Sequence, residues 1–533
     1  MSHRVWCCLS LWLVLALLLI IRGGGVRAEF YSSVDSRQDL GQLELELLNA
    51  TRSYLKAQQQ QINLYRKFVE QLKREHVMAM DLIDLDEYLG HPLHAFRLIK
   101  RLVYDWDALH APVVENKPRE DYRQLVDSLS KEVGLPDLSE LQGAVKGLAR
   151  LQRVYNFTAP DLADGIINGF FYDSEMDWRD CYEIGVQLFD LGEHHRSLEW
   201  LQEAFRLLRA NPEMKEAEKP QFIADIREYA ALANFELGKP TRAGTLLEKV
   251  LQTEPTHPAR HIQKYVDYRD LAGSNKHEKE PSWFGNYSRL CQGRRLPEKG
   301  SGTSLRCFLD GKRHAYFTLA PLQVEQVHLD PDIDVYHGIL TLDQIDSIFE
   351  AADKQEMTRS GVAGDGGTRT VVDLRVSQQT WLDYESPIMK SIARLVVFIS
   401  GFDIAGAEAM QVANYGVGGQ YEPHPDYFEV NLPSDFKGDR ISTSMFYLSD
   451  VEQGGYTVFT KLNVFLPPIK GALVMWHNLH RSLDVDPRTH HAGCPVIVGS
   501  KRIGNIWMHS GHQEFRRPCN LTSDSFKSVA YRE

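Results

Sequence analysis

Residues 420–426 read Gln-Tyr-Glu-Pro-His-Pro-Asp, and this short run sets the interpretation of the C-terminal third of the chain. His424 and Asp426 are two residues apart, and alternate side chains of an extended backbone project from the same face. A second histidine, His491, follows much later, just before a run with the pattern of a strand. Two imidazoles and one carboxylate on one side of a metal ion leave positions open, which suits Fe(II) holding a cosubstrate and dioxygen.

A His-x-Asp triplet is weak evidence alone, because a chain with 20 histidines produces one by chance. His328-Leu329-Asp330 is such a second triplet, which we interpret as a solvated turn beside Pro331. The triplet at His424 gains weight from Lys501, ten residues after His491. A buried lysine there would pair with the distal carboxylate of 2-oxoglutarate. His490 is the alternative to its neighbour His491 as the second imidazole.

The region around these residues has the pattern of a β-rich domain. Short apolar runs occur at 410–415, 442–448, 472–476 and 495–498, each bounded by Gly, Pro or Asp. Many short strands at this spacing are typical of a β-sandwich or a jelly-roll barrel. Residues 271–330, which precede the domain, lack periodicity and indicate a linker.

Between Trp178 and Asp267 the pattern predicts paired helices. In each of two segments, a Leu-Gly pair is followed by small and large apolar residues at similar offsets. This is the pattern of the second half of a tetratricopeptide repeat. The two segments are Leu191-Gly192 with Ser197, Leu201 and Ala204, and Leu237-Gly238 with Ala243, Leu247 and Val250. Such helix pairs leave a groove that commonly holds an extended peptide; a purely structural helical spacer is the alternative.

Residues 35–75 predict one amphipathic helix of coiled-coil length, because apolar residues recur mostly three, four and seven apart. The same period fits two arrangements. The helix could associate with a second subunit, or it could form an intramolecular hairpin with the apolar stripe from His94 to Trp106.

The first 28 residues have the features of a signal peptide. Residues 9–21 form a continuous apolar run, and Val26-Arg27-Ala28 offers a cleavage site. An uncleaved anchor is the alternative, and no later run approaches the length of a membrane span. The net charge of −12 argues against nucleic acid as a partner. A composition of 43% hydrophobic and 25% charged residues is that of a globular protein, and 533 residues suffice for three or four domains.

Five cysteines remain after the signal, an odd number that predicts two bridges and one free thiol in an oxidising compartment. Proximity in sequence suggests Cys291 with Cys307 and Cys494 with Cys519, which leaves Cys181 free. Four sequons fit lumenal exposure: Asn49, Asn156, Asn286 and Asn520.

Several stretches carry a resemblance to a known family. They are MQVANYGVGGQYEPH at 410–424, GGYTVF at 454–459, HAGCPV at 491–496, QEFRRPC at 513–519 and GHPLHAF at 90–96. In these stretches the chain resembles the α subunit of collagen-type prolyl 4-hydroxylase, and the resemblance covers essentially the whole chain after the signal.

The resemblance implies hydroxylation of prolyl residues to 4-hydroxyproline in collagen-like or other proline-rich peptides. It implies Fe(2+) as metal, 2-oxoglutarate and O₂ as cosubstrates, succinate and CO₂ as products, and L-ascorbate as a protecting reductant. It assigns the metal ligands to His424, Asp426 and His491, and cosubstrate binding to Lys501, Tyr415, Thr457 and Trp507. It implies the same two disulfides as above. Tyr415 could equally be an ordinary core tyrosine.

The resemblance also implies the assembly and its location. The partner would be protein disulfide isomerase as β subunit in an α2β2 tetramer in the endoplasmic reticulum lumen, with self-association through the N-terminal helices. The chain ends without a retention tetrapeptide, so a retained partner would explain residence.

This chain departs from the family pattern mainly where a peptide would bind. The family often has three tyrosines at three-residue spacing, whereas this chain has Tyr229, Leu232 and Phe235. We assign peptide binding to Tyr229 and Phe235. Arg502 replaces a common tryptophan, and residues 510–512 read Ser-Gly-His. The alternatives are a catalytically weak or inactive peptide-binding subunit, and more distantly a hydroxylase of another residue such as lysine.

The expected fold is multidomain α + β. It comprises a signal peptide (1–28), a helical, coiled-coil association domain (29–170), a tetratricopeptide-like peptide-binding domain (171–270), a disulfide-tied linker (271–330) and a double-stranded β-helix (jelly-roll) dioxygenase domain (331–533).

Overall fold

The fold is given by a computed structural model. It describes residues 31–80, 92–106, 116–132, 134–212, 214–260, 280–296, 305–355, 357–363, 369–370, 374–428 and 438–520. The predicted signal peptide lies outside the described residues. The chain forms two compact units, one of residues 35–137 and one of residues 138–533 with the segment up to Val34. None of the described helices combines the length and apolar composition that a bilayer crossing needs.

The smaller unit is helical. Helix α1 (Val34–Met80) is followed by α2 (Pro92–Lys100), a π-helical turn (Arg101–Asp105) and α3 (Lys117–Glu132). Tyr54 of α1 stacks on Tyr122 of α3 at 5.3 Å, and Phe68 meets Trp106 edge-on at 5.4 Å. This intramolecular packing is the alternative that we named for the long helix. Leu55 of α1 nevertheless stays 59% exposed, and self-association remains a prediction.

The larger unit begins with helices. They are α4 (Leu138–Tyr155), α5 (Ala159–Ala163), α6 (Trp178–Asp190), α7 (His194–Ala210), α8 (Lys219–Glu236) and α9 (Pro240–Thr253), with a small hairpin of β1 (Ile166–Ile167) and β2 (Phe170–Phe171) after α5. Gly192 and Gly238 make the turns of the α6–α7 and α8–α9 pairs with φ of 82° and 69°, which glycine adopts without strain. Leu201 and Leu247, which the pattern placed in the helix core, are fully buried.

Helix α10 (Phe284–Cys291) ends in a disulfide that the sequence analysis paired wrongly. Cys291 bonds Cys494, and Cys307 and Cys519 are exposed free thiols, so neither predicted pair forms. The reason is packing. Helix α10 buries Tyr287 and Leu290 in the same apolar cluster as Cys494, which brings together two cysteines 203 residues apart. Cys181 is a buried free thiol, as expected.

The rest of the larger unit consists of β-sheets. The strands are β3 (Cys307–Asp310), β4 (Leu322–Leu329), β5 (Asp332–His337), β6 (Thr358–Arg359), β7 (Val362–Ala363), β8 (Arg369–Thr370), β9 (Gln378–Leu382), β10 (Met410–Tyr415), β11 (Tyr421–His424), β12 (Arg440–Tyr447), β13 (Gln453–Gly454), β14 (Thr457–Phe459), β15 (Val464–Leu466), β16 (Leu473–His477), β17 (His491–Gly493), β18 (Val496–Val498) and β19 (Lys501–His509).

Nine of these strands form the main sheet, in the order β3-β4-β5-β16-β12-β19-β10-β9-β6, and β11-β17-β14-β15 form a second sheet. β3 and β4 lie within residues 271–330, so the expected linker is wrong in its C-terminal part. Helices α11 (Leu342–Asp353) and α12 (Pro387–Ser400) share one apolar cluster with the main sheet. A second cluster joins the main sheet to the smaller one, through Tyr447 and Trp476 on one side and Phe459 on the other.

Candidate active site

The two histidines of the predicted metal site face each other across the smaller sheet. β11 and β17 are antiparallel, and their register makes His424 the partner of His491. Asp426 follows just beyond the end of β11. His424 Nε2 lies 3.9 Å from Asp426 Oδ1, and His491 Nε2 lies 3.5 Å from Asp426 Oδ2. Among the described residues these three side chains form a group that could hold a metal ion, with ligand atoms within 4.8 Å of one another.

Both imidazoles are oriented by backbone carbonyl groups. His424 Nδ1 lies 2.7 Å from Glu422 O, and His491 Nδ1 lies 3.1 Å from Thr489 O. A carbonyl oxygen only accepts, so each Nδ1 carries the hydrogen and each Nε2 presents its lone pair to Asp426. Metal-binding histidines are commonly fixed by such a hydrogen bond at the other ring nitrogen.

The Asp426 carboxylate is also held in place by a hydrogen bond. Thr443 Oγ1 donates to Asp426 Oδ2 at 2.7 Å, and Asn478 Nδ2 donates to Thr443 Oγ1 at 2.9 Å. Burial would raise the pKa of Asp426, but His491, His424, Arg440 and the hydrogen bond from Thr443 together outweigh it, and the pKa falls below its ordinary value. Burial, reinforced by His491, holds the pKa of His424 well below its usual range. A neutral imidazole beside an ionised carboxylate is the state that binds a divalent cation.

Lys501 lies in the same pocket and is 2% exposed. Its Nζ donates to Thr457 Oγ1 at 3.1 Å, and Tyr447 OH donates to the same oxygen at 2.9 Å. Burial lowers the pKa of Lys501 to about 7. Tyr415 is the strand partner of Lys501 across β10 and β19, and its ring centroid lies 6.0 Å from Nζ. The structure thus brings together Lys501, Thr457 and Tyr415.

Aromatic rings form the walls of this pocket. The ring of Tyr421 stacks on His424 with centroids 3.4 Å apart, because a register irregularity in β11 brings residues three apart against each other. Trp507 also lines the pocket, as predicted, and the Arg440 guanidinium lies 4.1 Å from its ring centroid. The pocket encloses about 420 Å³ of empty space, including open solvent at its mouth.

A network of ionisable side chains that the sequence did not predict lies beside the metal-binding group. Arg440 bonds the Glu408 carboxylate through both Nε and Nη2, and His509 Nε2 lies 2.9 Å from Glu408 Oε1. Arg440 Nη1 also reaches Asp426 O at 3.4 Å. Burial alone would lower the pKa of Arg440, but Glu408, Asp426 and Tyr421 together raise it above its ordinary value, so Arg440 stays charged. The sequence offered only a weak signal, since Glu408 and Arg440 each stand two residues before an apolar run with the pattern of a strand.

Two further missed residues hold the pocket in place. Thr443 orients Asp426, and Arg375, 5% exposed, lines the pocket and donates to Gln411 Oε1 at 2.8 Å. Neither residue stands in a recognisable motif. The competing candidates lie elsewhere: His490 packs near Tyr427 at 6.1 Å, and His328 lies at the β4–β5 turn with Nδ1 2.9 Å from Pro331 O. His328 belongs to β4, and β5 follows directly, so the solvated-turn interpretation is wrong for His328.

The two predicted peptide-binding residues lie in different surroundings. Tyr229 makes edge-on ring contacts with Tyr182 and Phe189 of α6, at 6.0 and 5.8 Å. Phe235 packs instead against the α8–α9 cluster around Leu247. Tyr229 and Phe235 thus pack against different apolar clusters. Tyr182 and Phe189 were missed, although their seven-residue spacing on a helix places them on one face.

The four sequons differ in their surroundings. Asn49 and Asn156 are exposed, and Asn520 is half-buried. The Asn286 side-chain nitrogen donates to Thr460 O, and its oxygen accepts from Arg289. The amide nitrogen that a glycan would modify is thus already engaged in a hydrogen bond.

Comparison with known proteins agrees with this geometry. Residues 33–169 match the family described as Prolyl 4-Hydroxylase alpha-subunit, N-terminal region, and residues 410–509 match the 2OG-Fe(II) oxygenase superfamily. The chain is 31% identical to the human prolyl 4-hydroxylase subunit alpha-1 over 96% of this chain and 99% of that protein. It is 30% identical to the chicken subunit alpha-2 (93% and 96%) and 28% identical to the Caenorhabditis elegans subunit alpha-1 (96% and 94%). This chain belongs to the prolyl 4-hydroxylase alpha-subunit family.

Proposed function

We propose that this chain is the catalytic subunit of a procollagen-proline 4-dioxygenase. It would hydroxylate prolyl residues to 4-hydroxyproline with O₂ and 2-oxoglutarate, releasing succinate and CO₂. The observation that carries the proposal is that the His424–Asp426–His491 group and Lys501 share one pocket. The two sheets with a common apolar core are consistent with a double-stranded β-helix (jelly-roll) domain.

The donor set fits ferrous iron. Imidazole nitrogens suit iron, a set of two histidines and one carboxylate is typical of non-haem Fe(II), and three protein ligands leave positions open for small molecules. Iron(II) bound there would supply the oxidative chemistry, in which 2-oxoglutarate is decarboxylated as O₂ is reduced. The chain itself supplies Nε2 of His424 and His491 and an Asp426 carboxylate that Thr443 orients.

Lys501 and Thr457 would hold the far carboxylate of 2-oxoglutarate. Thr457 Oγ1 accepts hydrogen bonds from both Lys501 and Tyr447, so its own hydroxyl hydrogen remains for a ligand oxygen. The ammonium has two further N–H groups to donate. A carboxylate in this pocket would therefore meet two donors on adjacent side chains, one of which is charged. Tyr415 and Trp507 would pack along the bound cosubstrate.

The helix pairs α6–α7 and α8–α9 would form a tetratricopeptide-like domain that binds the substrate peptide. Its support is the pair of glycine turns and the partly exposed rings of Tyr229, Tyr182 and Phe189. Proline-rich segments adopt an extended, stiff helix, and aromatic-lined surfaces bind such segments well. The substrate would be a collagen-like or other proline-rich peptide.

The proposal also covers the subunit assembly of the protein and its location in the cell. Relatives named as alpha subunits favour a second kind of subunit, and we propose protein disulfide isomerase in an α2β2 tetramer with self-association through α1. The Cys291–Cys494 disulfide favours an oxidising compartment such as the endoplasmic reticulum lumen. Ascorbate would re-reduce iron oxidised in unproductive turnovers. Glycans would be carried on Asn49, Asn156 and Asn520 rather than on Asn286.

The test is co-expression with protein disulfide isomerase and an assay of succinate release with and without a (Pro-Pro-Gly) peptide. We expect peptide-dependent succinate and one 4-hydroxyproline per succinate. Turnover without dependence on the peptide would indicate another substrate. If the purified, iron-loaded complex released no succinate, the chain would instead be a peptide-binding subunit without catalytic activity.

A further inference from the structure

The helix face that carries Tyr229 combines aromatic rings with carboxylates. Tyr182 and Phe189 of α6 each contact Tyr229 of α8 edge-on, and all three rings are half-buried. We call this set, together with the four carboxylates described next, the acidic aromatic face.

Four acidic residues flank the three rings. On α8, Asp225 and Glu228 precede Tyr229 by four residues and by one, and Asp225 therefore lies on the same side of the helix as the ring. On α6, Glu183 and Asp190 each follow an aromatic residue, Tyr182 and Phe189, by one position. Asp225 is 37% exposed, and Glu183 and Asp190 are also exposed, so these carboxylates are accessible to a ligand.

One imidazole contacts two of these carboxylates. His257 Nε2 lies 3.2 Å from Asp225 Oδ1 and 4.0 Å from Glu228 Oε2, while its Nδ1 accepts the Ala259 N–H. A neutral imidazole is sufficient for both contacts, because Nε2 then carries the hydrogen. Arg227, also on α8, lies over the ring of Phe205 instead.

The electrostatic effect of the four carboxylates reaches the rings. Burial raises the pKa of Tyr229, and Asp190, Glu228, Glu183 and Asp225 raise it further. The pKa of Tyr182 is raised by burial and then by Asp225, among other neighbours. A negative potential at aromatic rings favours cations both by charge and by cation–π attraction.

We propose that the acidic aromatic face selects proline-rich peptides that carry lysine or arginine. The inference rests on the proposed function and narrows its substrate class. Proline rings would pack on Tyr229, Tyr182 and Phe189, and basic side chains of the same peptide would reach Asp225, Glu228 and Asp190. An extended proline-rich helix repeats every three residues, so one residue per turn can present a cation to the same side. Acidic peptides would be excluded by like charge.

The test compares three labelled peptides of equal length, built from Pro-Pro-Gly, Arg-Pro-Gly and Glu-Pro-Gly repeats, by fluorescence anisotropy on the assembled complex at low salt. We expect the arginine peptide to bind about 10-fold more tightly than the Pro-Pro-Gly peptide, and the glutamate peptide to bind more weakly than either. Salt should reduce the preference.

The double variant Asp225→Asn with Glu228→Gln keeps shape and hydrogen-bonding capacity, and it should reduce the preference for the arginine peptide over the Pro-Pro-Gly peptide to about 3-fold or less. The matched control is Glu248→Gln on α9, an exposed acid that is not among the carboxylates acting on Tyr229. Equal binding of all three peptides, or a preference that survives the double variant, would overturn the inference. Selective binding without succinate release would instead contradict the proposed function alone.

Discussion

Lys501 donates a hydrogen bond to the hydroxyl of Thr457 at 3.1 Å, and none of the ion pairs among the described residues includes it. A buried ammonium without a carboxylate partner costs free energy in the folded protein, since burial disfavours the charged form. The fold thus keeps a lysine without an acidic partner in the pocket that the metal-binding group also lines. An anionic ligand that binds both a metal ion there and Lys501 would supply the missing carboxylate.

The variant Lys501→Met should separate ligand binding from stability. Removal of the ammonium should raise the KM for 2-oxoglutarate by about 10- to 100-fold, because a hydrogen bond to a charged group is lost. The free energy of unfolding should rise by about 1–4 kcal/mol, because an apolar side chain replaces a buried charge without a partner. Steady-state kinetics and chemical denaturation measure the two effects. Lys354→Met, at an exposed lysine, is the control; an unchanged KM in Lys501→Met would contradict the assigned role.

Cosubstrate affinity should depend on pH. Burial lowers the pKa of Lys501 to about 7 in the free protein, and pairing with a carboxylate must raise it. The affinity for 2-oxoglutarate is therefore highest below about pH 7, where the Lys501 side chain is already protonated. Above that pH, binding takes up a proton, and affinity falls by up to about tenfold per pH unit until the pKa of the bound state is reached.

Calorimetric titration of 2-oxoglutarate into anaerobic, metal-loaded protein measures this effect. Titrations in two buffers with different ionisation enthalpies should reveal net proton uptake at about pH 8 and little at about pH 6. The proton uptake should disappear in Lys501→Met. A pH-independent affinity in the unaltered protein would show that another group holds the carboxylate.

Thr443 should tune the metal affinity without touching the metal. The change Thr443→Val removes the hydrogen bond to Asp426 Oδ2 and leaves the shape of the side chain nearly unchanged. Loss of such an orienting bond typically weakens metal binding by about 10- to 100-fold. Competition with a fluorescent chelator measures this directly. Ser442→Ala is the matched control: Ser442 lies next to Thr443, is fully buried, and its hydroxyl has no partner among the described residues. Equal losses in both variants would indicate a general defect of β12.

The metal-binding group could be predicted from sequence because its spacing has a direct structural meaning. The side chains of His424 and Asp426, two residues apart on an extended segment, project from the same face. His491 begins a strand that pairs with that segment. Lys501 could be predicted as a site residue only from its spacing after His491 and from the family resemblance; that it begins β19, beside Tyr415 on β10, could not be predicted. Local geometry was sufficient only for the pair on the extended segment.

The supporting residues could not be predicted because they depend on contacts between distant segments. Thr443 meets Asp426 only because β12 of the main sheet approaches the end of β11 in the smaller sheet, and no local pattern encodes that approach. The cysteine pairing failed for the same reason. Neighbours in sequence were chosen as partners, whereas the packing of α10 on the second sheet brings Cys291 to Cys494.

The disulfide gives the last prediction. Peptide mapping without reduction should recover a fragment containing Cys291 linked to one containing Cys494, with Cys307 and Cys519 unlinked. Replacing Cys291 and Cys494 together by Ala should lower the free energy of unfolding by about 2–5 kcal/mol, because the crosslink closes a loop of 203 residues between segments that share one apolar cluster. The paired control, Cys307→Ala with Cys519→Ala, removes two exposed thiols and should change stability by less than about 0.5 kcal/mol. Recovery of Cys291 linked to Cys307 would contradict this pairing and restore the arrangement that proximity in sequence favours.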